Sequence, residues 1–445
     1  MSTAHDQLTP AGRLLALWDH LGLRAAHVAT QMPADIAGFV VDHPDRVAGI
    51  VLMVPTRLDP TPFKLVTPRV LMVAGEHGLT AETTARAATR LPGATRTLLT
   101  DYDAPGWADV VADRTDEISK NVTRFLDVVA RNTAEAFAPT VAAREGTHAG
   151  ITWRIAGSGP ALVLLPFFLA PSQWGPAMPA LTAKFSVITL GGPHIGGVAA
   201  LEDRARAPTY QAMFRTLIDI MAPRPGEPIL DVGCGAGSLD RALAKRLGAA
   251  NPLTAMDTNP FLLGEAASLA RADGVGKSIA FVPGNAESLP FDDASFGCVF
   301  SVTVLEECDA DRALAEMVRV AKPGGRVGVI VRSLDVRQWW NLDLPDALRA
   351  KVETPPQSVA ATGVGDASLY PRMQAAGLAD LVCFPTLITL DNPAGPIWRY
   401  REDHVLSQLT PAEVPVWRAA RDKAAAEGLL FQSHVMHCAV GTKAG

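Results

Sequence analysis

ILDVGCGAGSLDRAL, from Ile229 to Leu243, is the stretch on which the fold of this chain turns. A strand-like apolar run carries Asp231 near its end, Gly233, Gly235 and Gly237 follow at alternate positions, and a helix-like run comes next. A turn this bare lets backbone N–H groups come close to a ligand, and nicotinamide and flavin enzymes use such turns too. The acid discriminates among them. A carboxylate two residues before the first glycine sits badly beside a pyrophosphate at a helix N-terminus and well beside an ammonium group. A cofactor with an amino-acid moiety and no phosphate fits that arrangement.

S-adenosylmethionine has those features, and the residues that follow suit it. The next strand, PLTAMD, ends in Asp257, 20 residues after Gly237, where a carboxylate accepts both ribose hydroxyl hydrogens. Thr258 adjoins it, and VPGNAESLPF places Asn285, Ala286 and Glu287 at the adenine edge. FGCVFS adds Ser301 at the next strand, Cys234 lies within the glycine turn, and Tyr210 precedes the turn by one helix, placed to fold over the cofactor. Read without a ligand, all of these are turn and packing residues. Glu306 reads more naturally as a structural residue orienting the loop after the fourth strand.

From about Tyr210 onward the chain resembles the class I S-adenosylmethionine-dependent methyltransferases of the ubiquinone/menaquinone-biosynthesis-like group. LDVGCGAG, GNAESLPFDDASFGCVFS, VLEE, EMVRVAKPGG and HCAVGTK stand in that family's order. The resemblance implies an α/β, Rossmann-like, seven-stranded sheet with the cofactor across the carboxyl ends of its first strands. It further implies methyl transfer by direct in-line displacement. Many relatives carry Asp where Asn285 stands, and often His where this chain has Glu307.

The acceptor side is expected in two insertions, RSLDVRQWWNLDL and NPAGPIWRYREDHVLSQL. Trp339, Trp340, Trp398 and His434 are candidates to line an acceptor pocket, with Tyr400 and His404 as candidate catalytic bases. Each alone also reads as a core or surface residue. His434 and His437 are taken to share one face of the final strand, and without carboxylates at metal spacing no metal site is expected.

Residues 1–200 resemble a degenerate α/β-hydrolase with its halves in swapped order. LLALWDHLGLRAAHVATQMPADIAGFVVDHPDRVAGIVLMVP looks like the segment around the nucleophile elbow, which normally reads G-x-S-x-G. Here it reads Ala29-Thr30-Gln31-Met32-Pro33, with Gln31 for the serine. Gly78 stands where the triad acid belongs, and the customary His is missing beside Trp107. GITWRIAGSGPALVLLPFFLAPSQW resembles the start of the same fold, with Pro166-Phe167 where the oxyanion-hole His-Gly would be. The expected organisation is a permuted hydrolase-like domain over 1–200, with a linker near 131–150, then a methyltransferase domain over 201–445. A linker of that length reaches up to roughly 65 Å.

Bulk properties agree with an α/β protein of more than one domain: 445 residues, 48% apolar and 19% charged. A net charge of −6 without a basic cluster argues against nucleic acid and anionic membranes as partners. The apolar runs are short of the roughly 20 residues a bilayer span needs. Five scattered cysteines without CxxC spacing fit reduced thiols, and a cytoplasmic location is expected. The reading is an S-adenosylmethionine-dependent methyltransferase acting at oxygen, carbon or nitrogen of a small aromatic or polyketide-like metabolite, with self-association left open. The alternative is a non-catalytic scaffold that binds the cofactor and uses the pseudo-hydrolase domain for partner contacts.

Overall fold

The computed structural model describes residues 8–103, 109–132, 134–167, 170–355, 360–393 and 395–445. The chain forms two compact units, Met1–Ala200 and Leu201–Gly445. Among the described residues no helix is long and apolar enough to cross a membrane.

In the first unit the strands are β1 (Ala26–Thr30), β2 (Val47–Met53), β3 (Val70–His77), β4 (Thr95–Asp103), β5 (Glu145–His148), β6 (Ile151–Ala156), β7 (Ala161–Leu164) and β8 (Ser186–Gly191). Among the described residues they make one sheet in the order β4-β3-β2-β1-β7-β8-β6-β5. Neighbours are parallel except at β6, which runs against both β8 and β5. β1 and β2 are buried at every position because helices cover both faces. Successive residues go to opposite cores: Val28, Ile50 and Leu52 to one side, Ala29, Val51 and Met53 to the other. The helix Thr115–Asn132 buries Ile118, Val122, Phe125, Leu126 and Val129, a stripe at helical spacing.

After that helix the chain crosses back beside the start of β1. Phe137 N donates to Ala25 O at 2.9 Å and Thr140 N to Leu21 O at 3.0 Å, while Ala136 packs against Ala25 and Ala48. The last residues of the linker range form β5, an exposed edge strand whose sequence, EGTH, carries no apolar signal.

The second unit holds β9 (Ile229–Val232), β10 (Leu253–Asp257), β11 (Ile279–Pro283), β12 (Phe296–Val302), β13 (Ala321–Arg332), β14 (Trp339–Trp340), β15 (Leu378–Cys383), β16 (Thr386–Leu390) and β17 (Gln432–Lys443). Among the described residues the order is β11-β10-β9-β12-β13-β17-β14, with β15 and β16 also paired to β17. These nine segments occupy seven places. β14 pairs with the start of β17, just beyond the stretch that β13 covers. β15 and β16 share the opposite edge of β17, separated at Pro385, which has no N–H to give the ladder. The Pro323-Gly324-Gly325 turn is an irregularity within β13, with Gly324 at φ 69°.

The insertion between β16 and β17 forms the helices Pro396–Gln408 and Glu413–Ala426. Trp398 and Trp417 from these helices join Trp340, Leu342, Leu344 and Leu348 in a separate core. Trp340 meets Trp398 edge-on at 5.3 Å and Trp417 at 6.1 Å. Trp398→Ala is expected to cost about 3–5 kcal/mol in urea unfolding. Trp339, 49% exposed, is expected to cost under about 1 kcal/mol when replaced by Ala.

Candidate functional site

The turn after β9 is held by backbone geometry that only glycine meets without strain. Gly233 has φ 83°, and a Cβ there would lie 2.2 Å from Val304 Cγ2. Gly233 N and Cys234 N both donate to Met256 O, at 2.7 and 2.9 Å, which ties the turn to β10. Gly237, at φ 69°, opens the helix Ser238–Leu247. Asp257 closes the arrangement: its Oδ2 accepts from Gly235 N and its Oδ1 from Asn259 N, both at 2.9 Å. Burial raises the Asp257 pKa, and these amide hydrogen bonds, with one from Thr258, partly offset it.

Asp231 is buried at the end of β9, and Asp240, on the helix that follows the turn, is buried against it. Burial pushes the Asp231 carboxyl well up, with the charge and hydrogen bond of Asp240 adding to the rise. Asp240 is pushed up to about 7, again by burial, while its hydrogen bond with Asp231 and the Arg241 charge act the other way. No N–H or O–H of another described residue reaches either oxygen of Asp240. The two carboxyls therefore make their hydrogen bond only with a proton between them. A ligand ammonium beside Asp231 would replace that proton.

Around this centre lies a shell of charged pairs. Glu202, on the helix Gly196–Arg206, accepts two hydrogen bonds from Arg241 Nη2, each 2.6 Å, and one from Ser238 Oγ. Both side chains of the ion pair are below 10% exposed. Arg204 stacks over the Tyr210 ring at 5.2 Å and donates to Thr303 Oγ1 at 3.3 Å. Thr303 has φ 60°, an uncommon conformation for a β-branched residue, at the end of β12. Next along that loop, the fully buried Glu306 accepts from Arg332 N at 2.7 Å and Arg332 Nε at 3.3 Å.

The structure thus brings Asp231, Gly233, Cys234, Gly235, Gly237, Asp257 and Thr258 together at one turn, with Ser301 in the adjoining strand. Ser301 is fully buried and donates to Val232 O at 2.9 Å, a strand-to-strand tie. Cys234 is a thiol that burial holds far above its usual pKa. Asn285 is exposed, and its Oδ1 accepts from Glu287 N, while Ala286 is buried in the core. Glu287 accepts from Asp309 N and pairs with Arg312, bracing the helix Ala310–Val320. Tyr210 is buried, which raises its hydroxyl pKa.

The acceptor candidates do not form one pocket. Trp340 and Trp398 are core, Trp339 faces solvent against Phe431, and Tyr400 and His404 are half-buried on the helix Pro396–Gln408. His434 and His437 do not share a face, because a separation of three residues on a strand puts them on opposite sides. His437 bonds Asp335 Oδ1 at 2.8 Å and the Tyr370 hydroxyl at 3.0 Å. His434 is buried on the other side, where desolvation and the charges of Arg401, Arg204 and Arg332 lower its pKa. Sequence reading missed Glu202, Arg204, Asp240, Arg332 and Arg401. Among these only Asp240, three residues past Gly237 at the start of a helix, had a positional signal. Among the described residues one group of metal-type ligands converges, Glu76, His77 and Asp101, exposed in the first unit.

Residues 230–329 match a family model described as a methyltransferase domain. The chain is 36% identical over 123 residues to the ubiquinone/menaquinone biosynthesis C-methyltransferase UbiE of Legionella pneumophila (strain Paris), covering 27% of this chain and 49% of that protein. Against the protein of the same name from Vibrio cholerae serotype O1 it is 38% identical over 117 residues, covering 26% and 45%. The chain thus spans about half the length of the curated relatives it matches. The crystal structure of the YcgJ protein from Bacillus subtilis is similar over 53% of this chain and 99% of its own, at 20% identity and a TM-score of 0.38. The likeness to methyltransferases therefore lies in the second unit, over the glycine turn and the strands that flank it.

The Asp231–Asp240 pair holds its proton more tightly folded than unfolded, where a carboxyl titrates near ~3.9. Its contribution to stability is complete below that value and is lost as pH rises through the Asp240 value of about 7. The ligand-free protein is expected to lose stability to urea between about pH 5 and pH 8. Asp240→Asn is expected to flatten that loss, and an unchanged slope would assign it to other groups.

Proposed function

We propose that this protein transfers the methyl group of S-adenosylmethionine to a small aromatic or polyketide-like acceptor by direct in-line displacement. The observation that carries this reading is the glycine turn lodged between Asp231 and Asp257 at the carboxyl ends of β9 and β10. That turn sets two carboxyl groups beside bare backbone, acceptors suited to an ammonium and to ribose hydroxyls rather than to a pyrophosphate.

The cofactor supplies a sulfonium-bound methyl that is electrophilic without help from the protein. The chain's own task is then positioning. Asp231, backed by Asp240, holds the ammonium end, and Asp257 takes the ribose hydroxyls in exchange for its bonds to Gly235 and Asn259. Asn285 and Ala286 border the adenine. The left-handed Thr303 and the buried Glu306–Arg332 pair fix the loop after β12, where the acceptor approaches. Tyr400 and His404 are the proposed bases for an acceptor hydroxyl or carbon acid.

For the first unit, a hydrolase-like sheet without its chemistry is the reading the strand order supports. Counted from β5, the strands stand 1-2-4-3-5-6-7-8 with the second antiparallel, the order of an α/β-hydrolase sheet cut between its fourth and fifth strands and rejoined through residues 134–144. At the elbow position, Gln31 is buried and its φ is not positive, so no nucleophile is thrust out on a strained turn. Gly78 replaces the acid, and the position beside Trp107 lies outside the described residues.

Calorimetric titration tests the methyltransferase reading. S-adenosylmethionine and its demethylated product are expected to bind in the micromolar range, and Asp257→Ala to weaken both by about 10–100-fold. An acceptor found by product mass would complete the assignment. No heat at protein concentrations of about tens of micromolar would sink it.

A further inference from the structure

The first unit holds a cluster of side chains that neither proposed reading uses. Glu76, His77 and Asp101 each bring one ligand-type atom to within 4.8 Å of the others, and all three residues are exposed. Glu76 and His77 end β3, and Asp101 stands near the end of β4. Adjacent residues of a regular strand point to opposite faces, so this meeting needs a break in the pleat. The break is present. Gly75 pairs with Leu99 but His77 with Asp103, so β3 advances two residues while β4 advances four. Asp101 lies inside that bulge with φ 49°, and its N–H donates to Glu76 Oε2 at 2.9 Å. Bulges of this kind re-aim side chains at strand ends.

Charge around the cluster is one-sided. No ion pair among the described residues takes Glu76 or Asp101; Arg86 goes to Glu82 and Arg114 to Glu117. Arg114 does reach this stretch, but its Nη2 donates to the carbonyl oxygens of Thr100 and Asp101, at 3.1 and 3.4 Å. The helix Gly78–Ala88 begins beside His77, and the partial positive charge of its first turn is met by another acid. That acid is Asp103, whose Oδ1 would lie 2.0 Å from a Cβ on Gly78. Glu76 and Asp101 are left as two convergent carboxylates with an imidazole beside them.

Carboxylates alone gather at many exposed strand ends. An imidazole nitrogen converging on two of them is a mixed donor set, suited to zinc and its neighbours in the first transition row, whereas magnesium and calcium take oxygen ligands. Bonds of about 2.0–2.2 Å place the ligand atoms of one such ion roughly 3–4 Å apart. Exposed side chains reach that spacing by closing about an ångström, and three protein ligands leave a further position for water. We propose that Glu76, His77 and Asp101 bind a zinc-type divalent ion at the carboxyl ends of β3 and β4. The assignment is independent of the methyltransferase reading. It was hidden in the sequence because neighbours such as Glu76 and His77 meet on one side only through the bulge, and Asp101 comes from the next strand.

The test titrates the full chain, first stripped of metal with a chelator, with Zn²⁺ and with Mg²⁺ in a calorimeter. One Zn²⁺ per chain is expected to bind with a Kd of about micromolar, at least about 100-fold more tightly than Mg²⁺. His77→Ala is expected to weaken Zn²⁺ by about 100-fold and Asp101→Asn by about tenfold. Asn tolerates the left-handed backbone at position 101, and both side chains are exposed, so the metal-free variants are expected to keep the parent's urea midpoint. Cys383→Ser removes an exposed thiol, a competing zinc ligand, and is expected to leave the affinity unchanged. Zn²⁺ binding no tighter than about millimolar, equal binding of Mg²⁺, or an affinity that His77→Ala does not lower overturns the assignment.

Discussion

The second unit depends on the backbone of Gly233 lying where no side chain fits. Val304 occupies the space a Cβ would take, so the turn after β9 and the loop after β12 are in contact at that point. The same turn spends two N–H groups on Met256 O and a third, from Gly235, on Asp257. Three strand ends are therefore gathered by one bare stretch of chain, and the carboxylates arrive with them. Any side chain at Gly233 would push Val304 away and loosen the loop that carries Thr303 and Glu306.

Charge is divided across this site. On the β9–β10 side stand the buried Asp231 and Asp240 and the half-buried Asp257; burial raises the pKa of all three, and the charges of Asp240 and Asp257 add to the rise at Asp231. On the β13–β17 side burial lowers the His434 pKa, with the charges of Arg401, Arg204 and Arg332 adding to it, and Arg332 is paired with Glu306 and Glu307. Glu202 and Arg241 stand at the border, a buried pair that fastens the helix Gly196–Arg206 to the helix behind the turn. Arg241 also pairs with Asp273 at 3.1 Å and Glu202 with Arg206 at 3.5 Å, so the tie is part of a wider charged network.

Much of this was legible in the sequence. PLTAMD and FGCVFS, read as strands, lie in the second sheet, and the acid and glycines of the turn stand together as their spacing implied. What escaped had a physical reason. β5 is polar and exposed, so apolar patterning is blind to it, and β15 with β16 is one strand place divided at Pro385. The arginines near His434 come from the helix Gly196–Arg206, β13 and the helix Pro396–Gln408, segments far apart in sequence that only the fold brings together. Trp340 and Trp398 were read for their aromatic faces, yet their size makes them equally good core, and burial decided for core. Two histidines three apart on a strand face opposite ways, and period two alone was enough to separate them.

The pairing of β1 with β7 has a consequence for how the first unit comes into being. These neighbours at the middle of the sheet are separated by residues 31–160, and residues 134–144 must lie along the start of β1 before β7 follows. During synthesis the first four strands emerge as an open half-sheet with β1, a strand buried at every position in the finished sheet, along its open edge. At about 5–20 residues per second, β1 waits several seconds or more for the partner that covers it. Such an edge invites pairing with another chain. The ribosome's pace and any holding chaperone therefore weigh on the yield of this protein as much as its final stability does.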